Sequence, residues 1–250
     1  MVNPDLEVVI GHDLEDLSKK AADFVVRSIM ERARSAPCVS IALSGGETPK
    51  RLYEHLTMEP LQKEIPWNQV HLFWGDERCV QPEDPKSNYR MAHQFLISRV
   101  PIPSKNVHRM PTELVDPQQA ADQYESTLRT FFGSPPEEWP RFDLVLLGVG
   151  SDGHTASLFP GVSALKEKKR WVVSVYIQKL KVHRLTLTLP VFNHAAQIIF
   201  LVAGPEKAQI LRGLSTRYQK QTPPPFRLIK PHRGKAVFFL DKSAASLLTR

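Results

Sequence analysis

Short runs of apolar and β-branched residues alternate along this chain with longer stretches whose apolar positions recur every three or four residues. The short runs LEVVI (6–10), CVSIAL (38–43), VHLFW (70–74), FDLVLLG (142–148), WVVSVY (171–176), HRLTLTL (183–189), QIIFLVA (197–203) and AVFFL (236–240) predict strands. The amphipathic stretches predict helices at about 14–34, 49–57, 88–98, 117–131, 206–214 and 242–248. Asp116 followed by Pro117, for example, sets a capping side chain and a first-turn proline ahead of one of them. Strand and helix in regular succession argue for βαβ units around a parallel sheet, hence an α/β fold.

No linker or fixed-period repeat divides the chain, so residues 1–250 are expected to form a single domain. Proline-rich pieces at 101–111 and 135–140 read as surface connections, and 221–234 as a long crossing loop before the last strand. No basic segment leads into an apolar one at the N-terminus, and no run approaches the roughly 20 apolar residues of a membrane span. A cytoplasmic location without membrane partners is the resulting expectation. Cys38 and Cys79 are the two cysteines, read as a core thiol and a loop thiol, and with no CxxC a structural metal is not expected.

The net charge of +7 comes from dispersed residues, densest in KEKKR at 166–170 and continuing from Arg217 to Lys235 with PPP interrupting. Without zinc-finger spacing or an aromatic pair on a basic strand, this suits a small anionic ligand better than nucleic acid. The oligomeric state stays open between monomer and weak homodimer.

Four clusters at strand ends carry candidate chemistry. SGGETP follows CVSIAL: Ser44, Gly45 and Gly46 allow a tight turn, Thr48 can cap, and Pro49 fits a first helical turn, so free N–H groups converge as a phosphate would require. An ordinary strand-to-helix turn has the same sequence. GDER ends VHLFW, where Asp76 can orient a sugar hydroxyl and Arg78 can bind an anion or steady developing negative charge. A surface ion pair is the alternative. SNYRM then brings Asn88 and Arg90 to the same edge, although Asn88 can equally be a helix-start residue.

GVGSDGHTASLFP (148–160) places Gly150, Asp152, Gly153 and His154 at the end of a central strand. A histidine there can take a proton from water at neutral pH, and a carboxylate beside it can fix its tautomer. The GVGSDG piece does not sit at a first strand and lacks the acidic residue about 20 positions on that a dinucleotide site uses. Arg184 and Lys207 can add positive charge for a phosphate. There is no G-x-S-x-G elbow, so a serine acyl-enzyme is not expected. Attack by water activated in this way needs a base and oxyanion support, with no metal or other cofactor.

SGGETP, GDER with SNYRM, GVGSDGHTASLFP, the Arg184 strand, GPEKA and FFLDKSAA occur in order over essentially the whole chain. In this the chain resembles the 6-phosphogluconolactonase family, within the wider group that includes glucosamine-6-phosphate deaminase. The resemblance implies a modified Rossmann-like three-layer sandwich around a mostly parallel sheet, with room for a small extra lobe, and no bound nucleotide. It also implies hydrolysis of 6-phospho-D-glucono-1,5-lactone, the second step of the oxidative pentose phosphate pathway. By it the SGG turn, Arg184 and Lys207 grip the 6-phosphate, His154 activates water, Asp76 and Arg78 line the sugar end, and Asp152 orients the site. The deaminase branch continues its histidine loop into phenylalanine, asparagine and glutamate. Here no acidic residue follows His154 until Glu167, which favours water attack on a lactone over deamination of an amino sugar. A phosphosugar binder without turnover would be marked by loss of the histidine or the aspartate, and both are present.

Overall fold

The structure is a computed structural model that describes residues 6–135, 137–212, 214 and 222–248. Strands β1 (Leu6–Gly11), β2 (Val39–Leu43), β3 (Val70–Trp74), β4 (Asp76–Arg78), β5 (Leu144–Leu147), β6 (Val172–Ile177), β7 (Val182–Leu187), β8 (Gln197–Val202) and β9 (Lys235–Asp241) form two sheets. The larger has six strands in the order β1-β9-β8-β5-β2-β3, all parallel. The smaller is antiparallel, in the order β4-β7-β6.

Helices α1 (Leu14–Ala33), α2 (Glu47–Leu56), α3 (Leu61–Glu64), α4 (Asn88–Phe95), α5 (Pro117–Phe132), α6 (Leu189–His194) and α7 (Ala208–Leu211) connect the strands. α1 packs on β1, β9 and α2, while α5 lies against β6 and β7. β2, β5 and β8 are buried along nearly their whole length, as strands covered on both faces must be. β5 lies between β2 and β8, so the chain turns from one half of the sheet to the other there, and the carboxyl ends of β2 and β5 flank the crevice where open α/β sheets bind ligands.

Most elements form where the hydrophobic pattern places them; four expectations need correction. WVVSVY and HRLTLTL do not extend the parallel sheet. Only four residues separate β6 from β7, too few for a crossover, so they close as an antiparallel hairpin. The helix expected at 242–248 is a series of turns. Asp241 takes the Ala244 N–H at 2.7 Å and the Ser243 hydroxyl at 2.8 Å, which pulls the chain out of helical geometry. The helix expected at 206–214 is a 3₁₀ turn, Pro205–Lys207, followed by α7 alone, with residue 213 outside the described residues. The helix expected over 88–98 ends at Phe95, and a 3₁₀ turn takes over at Ile97–Arg99. The basic segment expected from 217 falls outside the described residues as far as Gln221. Cys38 stands just ahead of β2 and, like Cys79, is only partly buried, so neither is a core thiol.

Two fully buried tyrosines lock the strand ends that carry the site. Tyr53 of α2 donates to the Ser44 carbonyl at 2.7 Å and accepts the Ser44 N–H at 3.1 Å. Tyr124 of α5 treats Trp74 in the same way, at 3.2 and 2.9 Å. Such paired bonds satisfy backbone groups that leave the ladder when a strand ends. Glu77, 1% exposed, anchors α4: Oε1 accepts from Asn88 N–H at 2.7 Å and Arg78 N–H at 2.8 Å, and Oε2 accepts from Tyr89 N–H at 2.7 Å and the Ser87 hydroxyl at 3.1 Å. Burial pushes its carboxyl up, against the pull of these backbone N–H groups. Glu77→Ala would leave several buried donors unpaired, so a loss of about 2–4 kcal/mol in unfolding free energy is expected from thermal or denaturant melts.

Candidate active site

Alternation along β4 and β7 builds one wall of the site. Asp76 and Arg78 point to one face of the small sheet, Glu77 to the other, and the register pairs Asp76 with Thr186 and Arg78 with Arg184. Two arginines thus face each other across neighbouring strands, an unfavourable pairing unless an anion joins them. Both Nε atoms are buried and have no hydrogen-bond partner among the described residues. Burial foremost, and Arg78 beside it, pull the Arg184 guanidinium down, against the upward pull of Asp76 and Glu77. A charge this buried and this poorly paired is a binding site for negative charge.

A cavity of about 380 Å³ opens in front of this pair. Ser44, Gly45, Gly46 and Thr48 line it from the end of β2, Asp76, Arg78 and Asn88 from β4 and α4, and Gly150 and His154 from the loop after β5. Arg184 and Lys207 complete it from β7 and the turn after β8. These residues lie far apart in sequence and meet because the parallel strands β2, β5 and β8 deliver their carboxyl ends to one edge. Asp152 and Gly153, also marked by the sequence, stand behind the lining. Arg90 is exposed and does not reach the cavity.

Thr48 does not cap. Gly46, at φ +110°, holds the cap position and α2 begins at Glu47, leaving Thr48 within the first turn. The first-turn N–H groups, which no helical carbonyl accepts, face the cavity with the positive end of the helix. At Gly45 a Cβ would lie 1.8 Å from Asn88 Oδ1, so only glycine lets α2 and α4 approach this closely.

His154 Nδ1 lies 2.5 Å from Asp152 Oδ1, and the Asp152 carboxylate also accepts the His154 N–H at 3.1 Å. The carboxylate places the ring proton on Nδ1 and leaves a lone pair on Nε2. Partial burial raises the Asp152 carboxyl, yet its hydrogen bonds from His154 and the charges of His154 and Lys179 hold it below its ordinary range. The ring stacks on Phe159 at 4.0 Å and 16°, and the Arg184 guanidinium lies 5.6 Å from the centroid of the same phenylalanine ring. At Gly150 a Cβ would meet the imidazole at 2.1 Å, so glycine admits the ring.

The part of the basic crossing loop that is described braces this turn from behind. Phe226 donates its N–H to the Gly153 carbonyl at 3.1 Å, and Gly153, at φ +82°, leaves room against Pro224. Asp241 accepts the Gly204 N–H at 3.1 Å, tying the terminal strand to the turn that carries Lys207, whose ammonium lies 3.6 Å from Glu206. In KEKKR the lysines are exposed, and the arginine is the residue held by ion pairs. Glu167 accepts the N–H groups of Lys168, Lys169 and Arg170, and Arg170 pairs with Asp122 and Glu125. Glu167 is thereby engaged away from His154.

Sequence reasoning did not single out Tyr53, Glu77, Phe159 or Asp241 as supports. Glu77 sits inside GDER, and strand alternation next to Asp76 and Arg78 was a signal that it faces away from them. Nothing local marks Tyr53 as the partner of Ser44, or Asp241 as the partner of Gly204, 37 residues away.

Asp152→Asn should lower the kcat/KM plateau by about 10²–10⁴-fold, because an amide no longer enforces the tautomer with Nε2 free. Asp152 is held below its ordinary pKa, so it stays charged until pH falls through that lowered value. Its removal disfavours the imidazolium, and the acid limb of the profile should move to lower pH.

A parallel α/β sheet with a polar, cation-rich crevice at its switch point and a carboxylate-oriented histidine defines an enzyme acting on a small anionic ligand. The family model for glucosamine-6-phosphate isomerases/6-phosphogluconolactonase matches residues 12–238, and the chain belongs to that family. It is 42% identical to a 6-phosphogluconolactonase of Synechocystis over 224 residues, which is 90% of this chain and 89% of that one. The solved 6-phosphogluconolactonase from Trypanosoma cruzi superposes with a TM-score of 0.86 at 34% identity, covering 98% and 97% of the two chains. A monomeric glucosamine-6-phosphate deaminase shares the fold, with a TM-score of 0.78 at 21% identity over 96% and 99% of the chains.

Proposed function

We propose that this protein hydrolyses 6-phospho-D-glucono-1,5-lactone to 6-phospho-D-gluconate, with His154 as the base that activates water. The observation that carries this reading is one cavity that joins a tautomer-fixed histidine to two facing arginines whose Nε atoms have no partner among the described residues, and to the start of α2. The 6-phosphate is held by the SGG turn, Arg184 and Lys207. Arg78, beside Arg184, extends the positive wall toward the lactone, and Asp76 and Asn88 receive the sugar hydroxyls. Nε2 of His154 takes a proton from water as its oxygen bonds to C1. The negative charge that moves onto the carbonyl oxygen is met by positive charge from the wall. Collapse of the adduct breaks the C1–O5 bond, the ring oxygen takes up a proton, and a carboxylate and a net proton are released.

The family also holds deaminases, so the discriminating experiment offers both substrates. Lactone consumption without ammonia release from glucosamine 6-phosphate supports the reading; ammonia release would replace it. Phe159 stacks on the His154 ring, and no carboxylate follows in that loop before Glu167, which favours the first outcome.

A further inference from the structure

Ser157 is absent from the cavity lining, and yet its hydroxyl meets one of the carboxylates that line it. We propose that Ser157 is a positioning residue that fixes the Asp76 carboxylate, and with it the distance between the histidine loop and the hydroxyl-binding face of the small sheet. The proposal rests on the lactonase reading and adds to it the device that holds its two halves in register.

Ser157 is 0% exposed and Asp76 5% exposed. The serine hydroxyl donates to Asp76 Oδ2 at 2.7 Å, joining segments 81 residues apart. On the other oxygen, Oδ1, Asn88 Nδ2 stands only at 3.5 Å; its shorter bond, 2.9 Å, goes to the Asp76 carbonyl. Ser157 is therefore the one close side-chain donor to this carboxylate among the described residues. The Ser157 N–H points to Thr186 Oγ1 at 3.4 Å, and Thr186 is the cross-strand partner of Asp76.

The backbone before Ser157 is bent for this purpose. Ala156 has φ +48°, a left-handed conformation that strains a residue with a Cβ. The turn from Thr155 to Leu158 closes around it with a 3.0 Å bond, so that Ala156 lines the cavity while Ser157 points inward to Asp76. Strain of this kind persists only where surrounding contacts enforce it, and the Ser157–Asp76 bond is such a contact.

Chemically, a hydroxyl donating to Oδ2 fixes the plane of the carboxylate and leaves Oδ1 to accept from a ring hydroxyl of the substrate. The same bond rules Ser157 out as a nucleophile activated by His154, since its proton is directed to Asp76.

The test is a double-mutant cycle on lactone hydrolysis with Ser157→Ala, Asp76→Asn and both together, each with a thermal melt and with kcat and KM determined separately. Ser157→Ala is expected to lower kcat/KM by about ten- to hundredfold, the size of a lost hydrogen bond to a charged group. The loss should fall on kcat more than on KM, because the phosphate-binding wall is untouched while the sugar is no longer held in register with His154. In the Asp76→Asn background the same change should add no more than about twofold. Equal losses in both backgrounds, with no split between kcat and KM, would mark Ser157 as packing only and overturn the proposal. Should Ser157→Ala fail to fold, Ser157→Cys keeps the volume, weakens the donor and carries the same cycle. A wild-type protein without lactone turnover would instead overturn the underlying reading, and this proposal with it.

Discussion

His154→Ala should lower kcat for lactone hydrolysis by about 10²–10⁴-fold, the usual contribution of a positioned general base. Binding of 6-phosphogluconate should be nearly unchanged. The two expectations separate because of how the site is assembled. The imidazole comes from the loop after β5, with its proton assigned to Nδ1 by Asp152, whereas the cations that meet the phosphate come from β7 and the turn after β8. Removing the ring therefore takes away proton transfer and leaves the anion wall standing. Its stacking on Phe159 adds little to the fold at a partly exposed position. Isothermal titration of the product against the variant, beside steady-state kinetics, checks both halves. A parallel fall in product affinity would mean that His154 holds substrate and that the base lies elsewhere.

Arg184→Met should reduce kcat/KM for the phosphorylated lactone by about 10²–10³-fold, the scale of losing a two-pronged charge-assisted interaction. Turnover of unphosphorylated glucono-1,5-lactone should change far less. The variant removes one of two guanidinium groups paired across β4 and β7 and relieves a buried charge, so the melting temperature should hold or rise. Equal losses on both lactones, or a lowered melting temperature, would make Arg184 a structural residue. Methionine is the informative replacement because it keeps the aliphatic packing beside Phe159.

Much of this arrangement was legible in the sequence, for physical reasons. Apolar strands and amphipathic helices announce an α/β sheet, and such a sheet puts strand ends, with their glycines and charged residues, at one edge. That is why Ser44, Asp76, His154 and Lys207 group together from the sequence, and why they line one cavity. What stayed hidden depends on pairing across the chain. The antiparallel hairpin of β6 and β7 looks locally like two more central strands, and only its four-residue connection excludes a crossover. The terminal turns at Asp241 carry a helical pattern, which loses to a carboxylate claimed by Gly204, Ser243 and Ala244. Arg78 and Arg184 were assigned to different parts of the ligand, and their direct pairing became visible only with the register. Glu77 belongs to the same motif as Asp76 and yet serves the fold, because successive strand residues face opposite ways.

The most direct test of the account is proton release from freshly prepared 6-phosphogluconolactone in a weakly buffered solution, followed with and without the purified wild-type protein. The account predicts acidification of one proton per lactone, far faster than spontaneous ring opening and saturable in substrate. Acidification no faster than the blank, from a folded protein that binds 6-phosphogluconate, would contradict it.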